Sequence, residues 1–316
     1  MKNTIIRGGM VLLFLLILFN AQISIEGATK GLTLWYQVVV PTLLPCMILS
    51  NLIVQMDAAC FTIGVLQPIL GRFFHTSMEG TYTVLMGIIC GYPMGAKTAA
   101  DFIRKGKMTV TEGQYVLSFA NLPSPMFLVG YVVTKSLGHK ALLIPLLASV
   151  YIADILVGQL SYFTFRKNLK SGTGDTKIEK KAKELRPKFS FDMLDEAVIG
   201  SVEIIVKIGV YMMLFTLLSK LVGKSGLHAT WLQWLLMGAF EMTTGISQVA
   251  PLSTVSVPIK AAIMAAFASF GGLSTAMQTN SVMKGTPLNM GNYILWKALH
   301  GILTGVLLYL YLTFLR

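Results

Sequence analysis

The chain has 316 residues, 54% of them hydrophobic and only 13% charged, with a mean hydropathy of +0.67. That balance excludes a soluble globular domain and marks an all-α polytopic membrane protein. The net charge of +12 does not indicate a nucleic-acid partner. The bases collect in one loop and beside span ends, with no aromatic-interleaved basic face, and a positive-inside topology in a lipid bilayer accounts for them.

Apolar runs of about 20 residues, the length that crosses a bilayer core of roughly 30 Å, recur along the chain. The first is GGMVLLFLLILFNAQISI, preceded by Lys2 and Arg7. A signal peptide has this polarity too, but no A-x-A-like cleavage site follows, so a retained span over 8–25 is expected. A second span follows at 32–56. Residues 61–75, FTIGVLQPILGRFFH, carry Arg72 and His75 at their end and predict an interfacial helix. Two double segments, 80–94 with 96–105 and 230–243 with 245–256, have arms too short to cross alone and predict re-entrant hairpins. The spans at 111–137 and 258–283 are both interrupted. NLPSP breaks the first through Pro123 and Pro125, and SFGGLS loosens the second at Gly271 and Gly272. Unbroken spans are expected at 141–165, 198–222 and 289–315. Residues 166–190 hold nine Lys or Arg against three acids and read as a linker rather than a packed domain. Cys46, Cys60 and Cys90 have neither paired spacing nor accompanying histidines and read as packing residues.

With the N-terminus in the cytoplasm and each hairpin returning to its own side, the bases sort. Lys2, Arg7, Arg72, Arg104, Lys105, Lys107, the linker bases and Lys284 fall inside. Lys30, Lys135, Lys140, Lys220, Lys224 and Arg316 fall outside. The same arrangement divides the chain into an N-terminal helix over 1–29, a first repeat over 30–165, a basic cytoplasmic linker over 166–190 and a second repeat over 191–316. LMGIICGYPMG at 85–95 resembles LMGAFEMTTG at 236–245, and SFANLPSPM at 118–126 parallels AFASFGGLS at 266–274. The first unit begins outside and the second inside, so the repeat is inverted. Interrupted helices at corresponding positions of an inverted repeat mark secondary transporters, with the site at the midplane where the breaks meet. Gly91–Gly95 and Thr243–Gly245 are therefore expected to lie close together.

GYPMGAK followed by SFANLPSPMFLVG resembles the nucleoside-recognition (Gate) domain membrane proteins, specifically the YlbJ-type sporulation integral membrane proteins. The likeness runs from about residue 30 to the end. It implies kinship with concentrative nucleoside transporters, and a place in the cell or forespore membrane of a sporulating bacterium. It also implies a role in moving dipicolinate, a planar pyridine dicarboxylate, towards the spore. A nucleoside transporter and a non-transporting sporulation scaffold are the alternatives. Partners beyond the bilayer and an anionic solute would be a second copy or other sporulation membrane proteins.

Lys97 stands in the first turn of a helix, where the N-terminal end already carries partial positive charge. It needs an anion. The tip residues Gly91, Tyr92, Pro93 and Gly95, with their free backbone amides beside a helix end, would make an anion receptor. Pairing with Glu241 at the other tip, or snorkelling to water, are the competing readings. Glu241, flanked by Thr243 and Thr244, could bind a substrate hydroxyl, carry a coupling proton, help bind Na⁺ or neutralise Lys97. Asn121 and Ser124 at the first break, and Ser269, Ser274 and Thr275 at the second, either contact substrate or satisfy backbone groups freed by the breaks. Gln248 and Gln278 are weaker candidates. Glu203 and Lys207 stand four apart and can neutralise each other, and Asp154 could pair with Lys207 or Lys297. His300 reads as a polar packing residue or a proton relay. No nucleophile–base set, metal-ligand cluster or phosphate loop is visible. Neither enzyme nor cofactor is expected, and the only accessory species is a coupling ion, Na⁺ or H⁺.

Overall fold

In hydrocarbon a chain segment has to satisfy its backbone hydrogen bonds internally, so long apolar runs become helices. The structure is a computed structural model. It describes residues 2–56, 58, 63–64, 66–171, 189–224 and 230–315. Cys60, Arg316 and residues 172–188 of the expected linker lie outside the described residues. Among the described residues, four segments are long and apolar enough to cross a membrane: Lys140–Lys167, Phe191–Lys224, Val257–Met283 and Met290–Phe314. The pair Arg7–Phe19 with Ala21–Val39, bent by 98° at its middle, makes a fifth if it is counted as one span. With no strand among the described residues, the fold class is all-α and polytopic.

The N-terminal spans differ from expectation. Helix α1 (Lys2–Phe19) breaks at Asn20, whose backbone leaves the helical region at φ −122° and ψ 44°. Helix α2 (Ala21–Leu34) then runs without a turn through a π-helical stretch (Trp35–Val39) into α3 (Val40–Gln55). The division into spans 8–25 and 32–56 is thus corrected to a break at residue 20 and a continuous helix after it. The sequence IEGATKG looks like a loop but works as a helix contact. A Cβ on Gly27 would meet Leu217 Cα at 2.8 Å, and one on Gly31 would meet Met213 Cα at 2.8 Å. Small residues four apart let two membrane helices approach closely. The partner is α9 (Phe191–Lys224), whose Ile205 carbonyl accepts from Trp35 Nε1 at 2.8 Å.

Of the interfacial helix expected over 61–75, residues 61, 62 and 65 lie outside the described residues; the described part holds a π-turn (Gln67–Gly71) and a single turn, α4 (Arg72–Phe74), which ends at His75 with φ 55°. Phe74 is buried and stacks on Phe119 with ring centroids 4.8 Å apart. Aromatic packing pulls this segment into the protein.

Both double segments form helical pairs. In the first, α5 (Met78–Cys90) and α6 (Met94–Arg104) are joined at Gly91–Pro93. In the second, α10 (Thr230–Phe240) and α11 (Met242–Val249) meet at Glu241. Both interruptions are present too. Helix α7 (Val110–Leu117) stops well before Pro123, and the chain resumes as a π-helix (Phe127–Leu137). The first break is therefore a non-helical segment rather than a kink. Helices α12 (Val257–Phe270) and α13 (Gly272–Met283) part at Gly271 and Gly272, with φ +83° and +76°. The long helices α8 (Leu143–Ser171) and α14 (Met290–Leu310) follow the two broken segments. Among the described residues, one of four hydrophobic clusters holds Leu128 and Val132 against Ile246, Met264 and Leu308 from the C-terminal part of the chain.

Candidate functional site

Each helical pair packs its tip on the break that follows it. A Cβ on Gly87 would sit 1.6 Å from the Ala120 carbonyl oxygen, and one on Gly95 1.9 Å from the same atom. In the second half, Gly272 lies against the carbonyls of Gly238, Ala239 and Phe240, at 3.0–3.2 Å from an added Cβ. The halves are then cross-linked. Tyr92 at the first tip donates its hydroxyl to the Ala268 carbonyl at the second break. Tyr131, just beyond the first break, donates to the Thr243 carbonyl at the second tip, at 2.9 Å.

Between these links lies a cavity of about 260 Å³. It brings together six of the residues singled out in the sequence: Gly91, Tyr92, Ser124, Glu241, Thr243 and Thr275, with Gln278 beside them. Its other walls are Leu34, Gln37 and Leu43 of the first long helix, Met126–Tyr131 in part, Lys135, and Met212 and Met242. The wall is mostly apolar with a few converging polar groups, the usual make-up of a small-molecule site. Pro93, Gly95, Lys97, Asn121, Thr244, Ser269 and Ser274 do not line it.

Lys97 is buried, but its nitrogen turns away from the cavity. Nζ donates to Asp101 Oδ2 at 2.6 Å and to the Asn51 side-chain oxygen. Asp101 also holds Arg104 at 2.9 Å, and Arg104 reaches the carbonyls of Val282 at 2.6 Å and Lys284 at 2.7 Å. The pairing of Lys97 with Glu241 is therefore corrected. Four-residue spacing puts Asp101 one turn along the same helix face, and KTAAD shows that spacing directly. Glu241 is instead the N-cap of α11. Its Oε2 accepts from the Thr244 backbone N–H at 2.7 Å, from Thr244 Oγ1 at 3.0 Å and from the Thr243 hydroxyl. Helix termini leave N–H groups unsatisfied, and a carboxylate there also complements the helix dipole.

The break residues divide. Asn121 Nδ2 donates to Thr279 Oγ1 at 3.0 Å and to the Tyr293 hydroxyl at 2.8 Å, tying the first break to α13 and α14. Ser124 Oγ accepts from Phe127 N at 3.2 Å and starts the π-helix. Ser274 accepts from Gln278 at 3.2 Å, whereas the buried Ser269 hydroxyl has no partner. Gln248 lies at a separate surface pocket beside Lys220 and Gln233. Glu203 and Lys207 pair as their spacing suggests. Cys46 and Cys90 are free thiols in mutual contact.

Sequence reasoning missed the basic approach to the cavity. Lys30, Thr33, Gln37, Tyr131, Lys135 and Ser247 border a neighbouring hollow of about 600 Å³ that shares Leu34, Gln37, Tyr131 and Lys135 with the cavity wall. Lys30 Nζ donates to Ser247 Oγ at 2.7 Å, and Ser247 in turn donates to the Thr244 carbonyl at 2.9 Å. Lys135 sits over the Tyr131 ring at 5.8 Å. The charge rule sorts both lysines to the outer side without any local signal of a site; the continuous α2 helix is what carries Lys30 to the second tip.

No family model matches the sequence, and no solved structure matches it. A curated protein does: the sporulation integral membrane protein YlbJ of Bacillus subtilis (strain 168) is 26% identical over 321 aligned residues, covering 92% of this chain and 78% of that protein. Broad similarity at this level makes the chain a distant relative of a sporulation integral membrane protein.

Proposed function

We propose that this chain is a secondary transporter of a small organic anion, with dipicolinate as the favoured solute. The observation that carries the reading is the cavity bordered by both hairpin tips and by both breaks. In this reading residues 30–165 and 191–316 are inverted repeats, the two helical pairs are re-entrant, and alternating access moves one repeat against the other. At about 260 Å³ the cavity is smaller than the roughly 300–1,000 Å³ of drug-sized sites, which suits a single-ring solute. Lys135 on its wall and Lys30 in the adjoining hollow supply the positive field that Lys97, spent on Asp101, does not. The similarity to a sporulation protein favours dipicolinate among ring dicarboxylates.

A nucleoside remains the second reading, because Glu241, Gln37, Gln278 and Thr275 offer hydrogen bonds to a neutral polar solute. Uptake of labelled dipicolinate and uridine into proteoliposomes of the full chain tests both. Dipicolinate uptake that Lys135→Gln weakens, more at low salt than at high salt, supports the anion reading. Uridine uptake insensitive to that substitution favours the nucleoside. Movement of neither solute favours a scaffold.

A further inference from the structure

The substrate cavity leaves unused a fully buried ionisable cluster. Lys297 and His300 on α14 and Asp154 on α8 are exposed by only 1%, 1% and 3%. His300 Nε2 lies 3.1 Å from the Val150 carbonyl oxygen, and Nδ1 lies 3.0 Å from Lys297 Nζ. A carbonyl only accepts, so Nε2 carries the ring proton and Nδ1 presents its lone pair to the lysine. His300 is thereby held as a neutral acceptor. Asp154 stands on α8, which packs along α14, within electrostatic reach of Lys297 but not in an ion pair with it, and its Oδ1 is buried with no hydrogen-bond partner. The Tyr92 ring faces the same nitrogen, its centroid 5.4 Å from Nζ. Among the described residues, the other titratable groups in reach are tyrosines: Tyr293 beside Tyr92, and Tyr115 and Tyr151 beside Asp154. From α12 the Ser269 backbone reaches His300.

A buried ammonium is costly unless closely paired, and here its support is a carboxylate beyond ion-pair reach, a neutral imidazole and an aromatic face. Lysine, unlike arginine, can give up its proton when buried. Tyr92 connects this cluster to the solute: it lines the cavity, and its hydroxyl is held by Ala268 at the second break.

Resting on the transport reading, we infer that Lys297 is the coupling-proton site of this protein, with Asp154 as its counter-charge, His300 as its acceptor and Tyr92 as the link to the cavity. The proton leaves the Lys297 ammonium for water admitted past Tyr92. The neutral amine left behind keeps its hydrogen bond to His300, and reprotonation occurs from the opposite face.

The test uses full-length chain in proteoliposomes, with labelled dipicolinate and uridine as probes and the membrane potential clamped to zero. One unit of pH gradient is worth about 1.4 kcal/mol, and so supports about tenfold accumulation per coupled proton. Wild type is expected to accumulate its probe accordingly. Lys297→Gln is expected to lose this accumulation while probe exchange, which needs no net proton movement, persists. Asp154→Asn/Lys297→Gln, which leaves no net buried charge, serves if the single variant fails to insert. Accumulation driven by a Na⁺ gradient alone, or gradient-driven accumulation surviving in Lys297→Gln, overturns the inference. If wild type moves neither probe, the transport reading fails by itself. Infrared difference spectra across a pH titration then decide the proton site without solute. The Asp154 carboxylate band, identified through Asp154→Asn, is expected to shift with pH in wild type and not in Lys297→Gln. No shift in wild type, or the same shift in both, overturns the site.

Discussion

Lys97 Nζ lies 2.6 Å from Asp101 Oδ2, one turn along the same short helix, and Asp101 in turn holds Arg104. This arrangement moves the lysine from solute chemistry to the internal support of the first hairpin. Removing one partner of a buried pair strands the other, at a cost of about 3–5 kcal/mol. Asp101 is partly exposed, so the lower end applies. Lys97→Met is expected to lower the thermal stability of the detergent-solubilised protein, and Lys97→Met/Asp101→Asn to restore much of it. A cycle of the two single variants and the double measures the coupling. Additive effects would contradict the pairing.

The hairpin tip tolerates no side chain where it meets the first break. Gly87→Ala and Gly95→Ala would each drive a methyl group into the Ala120 carbonyl. Overpacking against fixed backbone costs about 1–3 kcal/mol or more, so both should reduce the folded fraction on size-exclusion chromatography. Gly130 has nothing within 4 Å of an added Cβ and borders the cavity. Gly130→Ala is expected to keep the fold while narrowing the solute space, which appears as weakened solute uptake at normal yield.

Glu241 separates capping from charge. Glu241→Gln keeps an oxygen for the Thr244 N–H, whereas Glu241→Ala removes it, at about 1 kcal/mol for a lost N-cap. Stability should therefore fall in Glu241→Ala and change little in Glu241→Gln. If the carboxylate charge acts on solute or ion, uptake falls in both.

The second break is held by backbone conformation. Gly271 and Gly272 both have positive φ, a region costing an L-residue about 1–2 kcal/mol. Alanine at either site is expected to destabilise this state. A propensity argument alone would have alanine favour a continuous helix by about 1 kcal/mol per residue. Thermal shift of Gly271→Ala decides which conformational term wins.

A chain with these runs was readable as an all-α membrane protein before any coordinate, because satisfying backbone polar groups in lipid is a local demand. The breaks were readable for a similar reason. Pro123, Pro125, Gly271 and Gly272 constrain or free their own φ angles, whatever surrounds them. The Glu203–Lys207 pair needed only helical spacing. Partnership at a distance was not readable. GATKG reads as a loop until α9 supplies the face that Gly27 and Gly31 fit, and only then does Lys30 arrive beside Ser247. The direction in which Lys97 points, away from the cavity, depends on how α6 is rotated against Asn51 and α13. Assembly of Lys297, Asp154 and Tyr92 requires α14, α8 and a hairpin tip to converge. A residue's type and spacing decide its own backbone and its neighbours within a turn. Which burdened side chains meet is decided by helix packing, where the cost of an unpaired buried charge is settled between segments far apart in the chain.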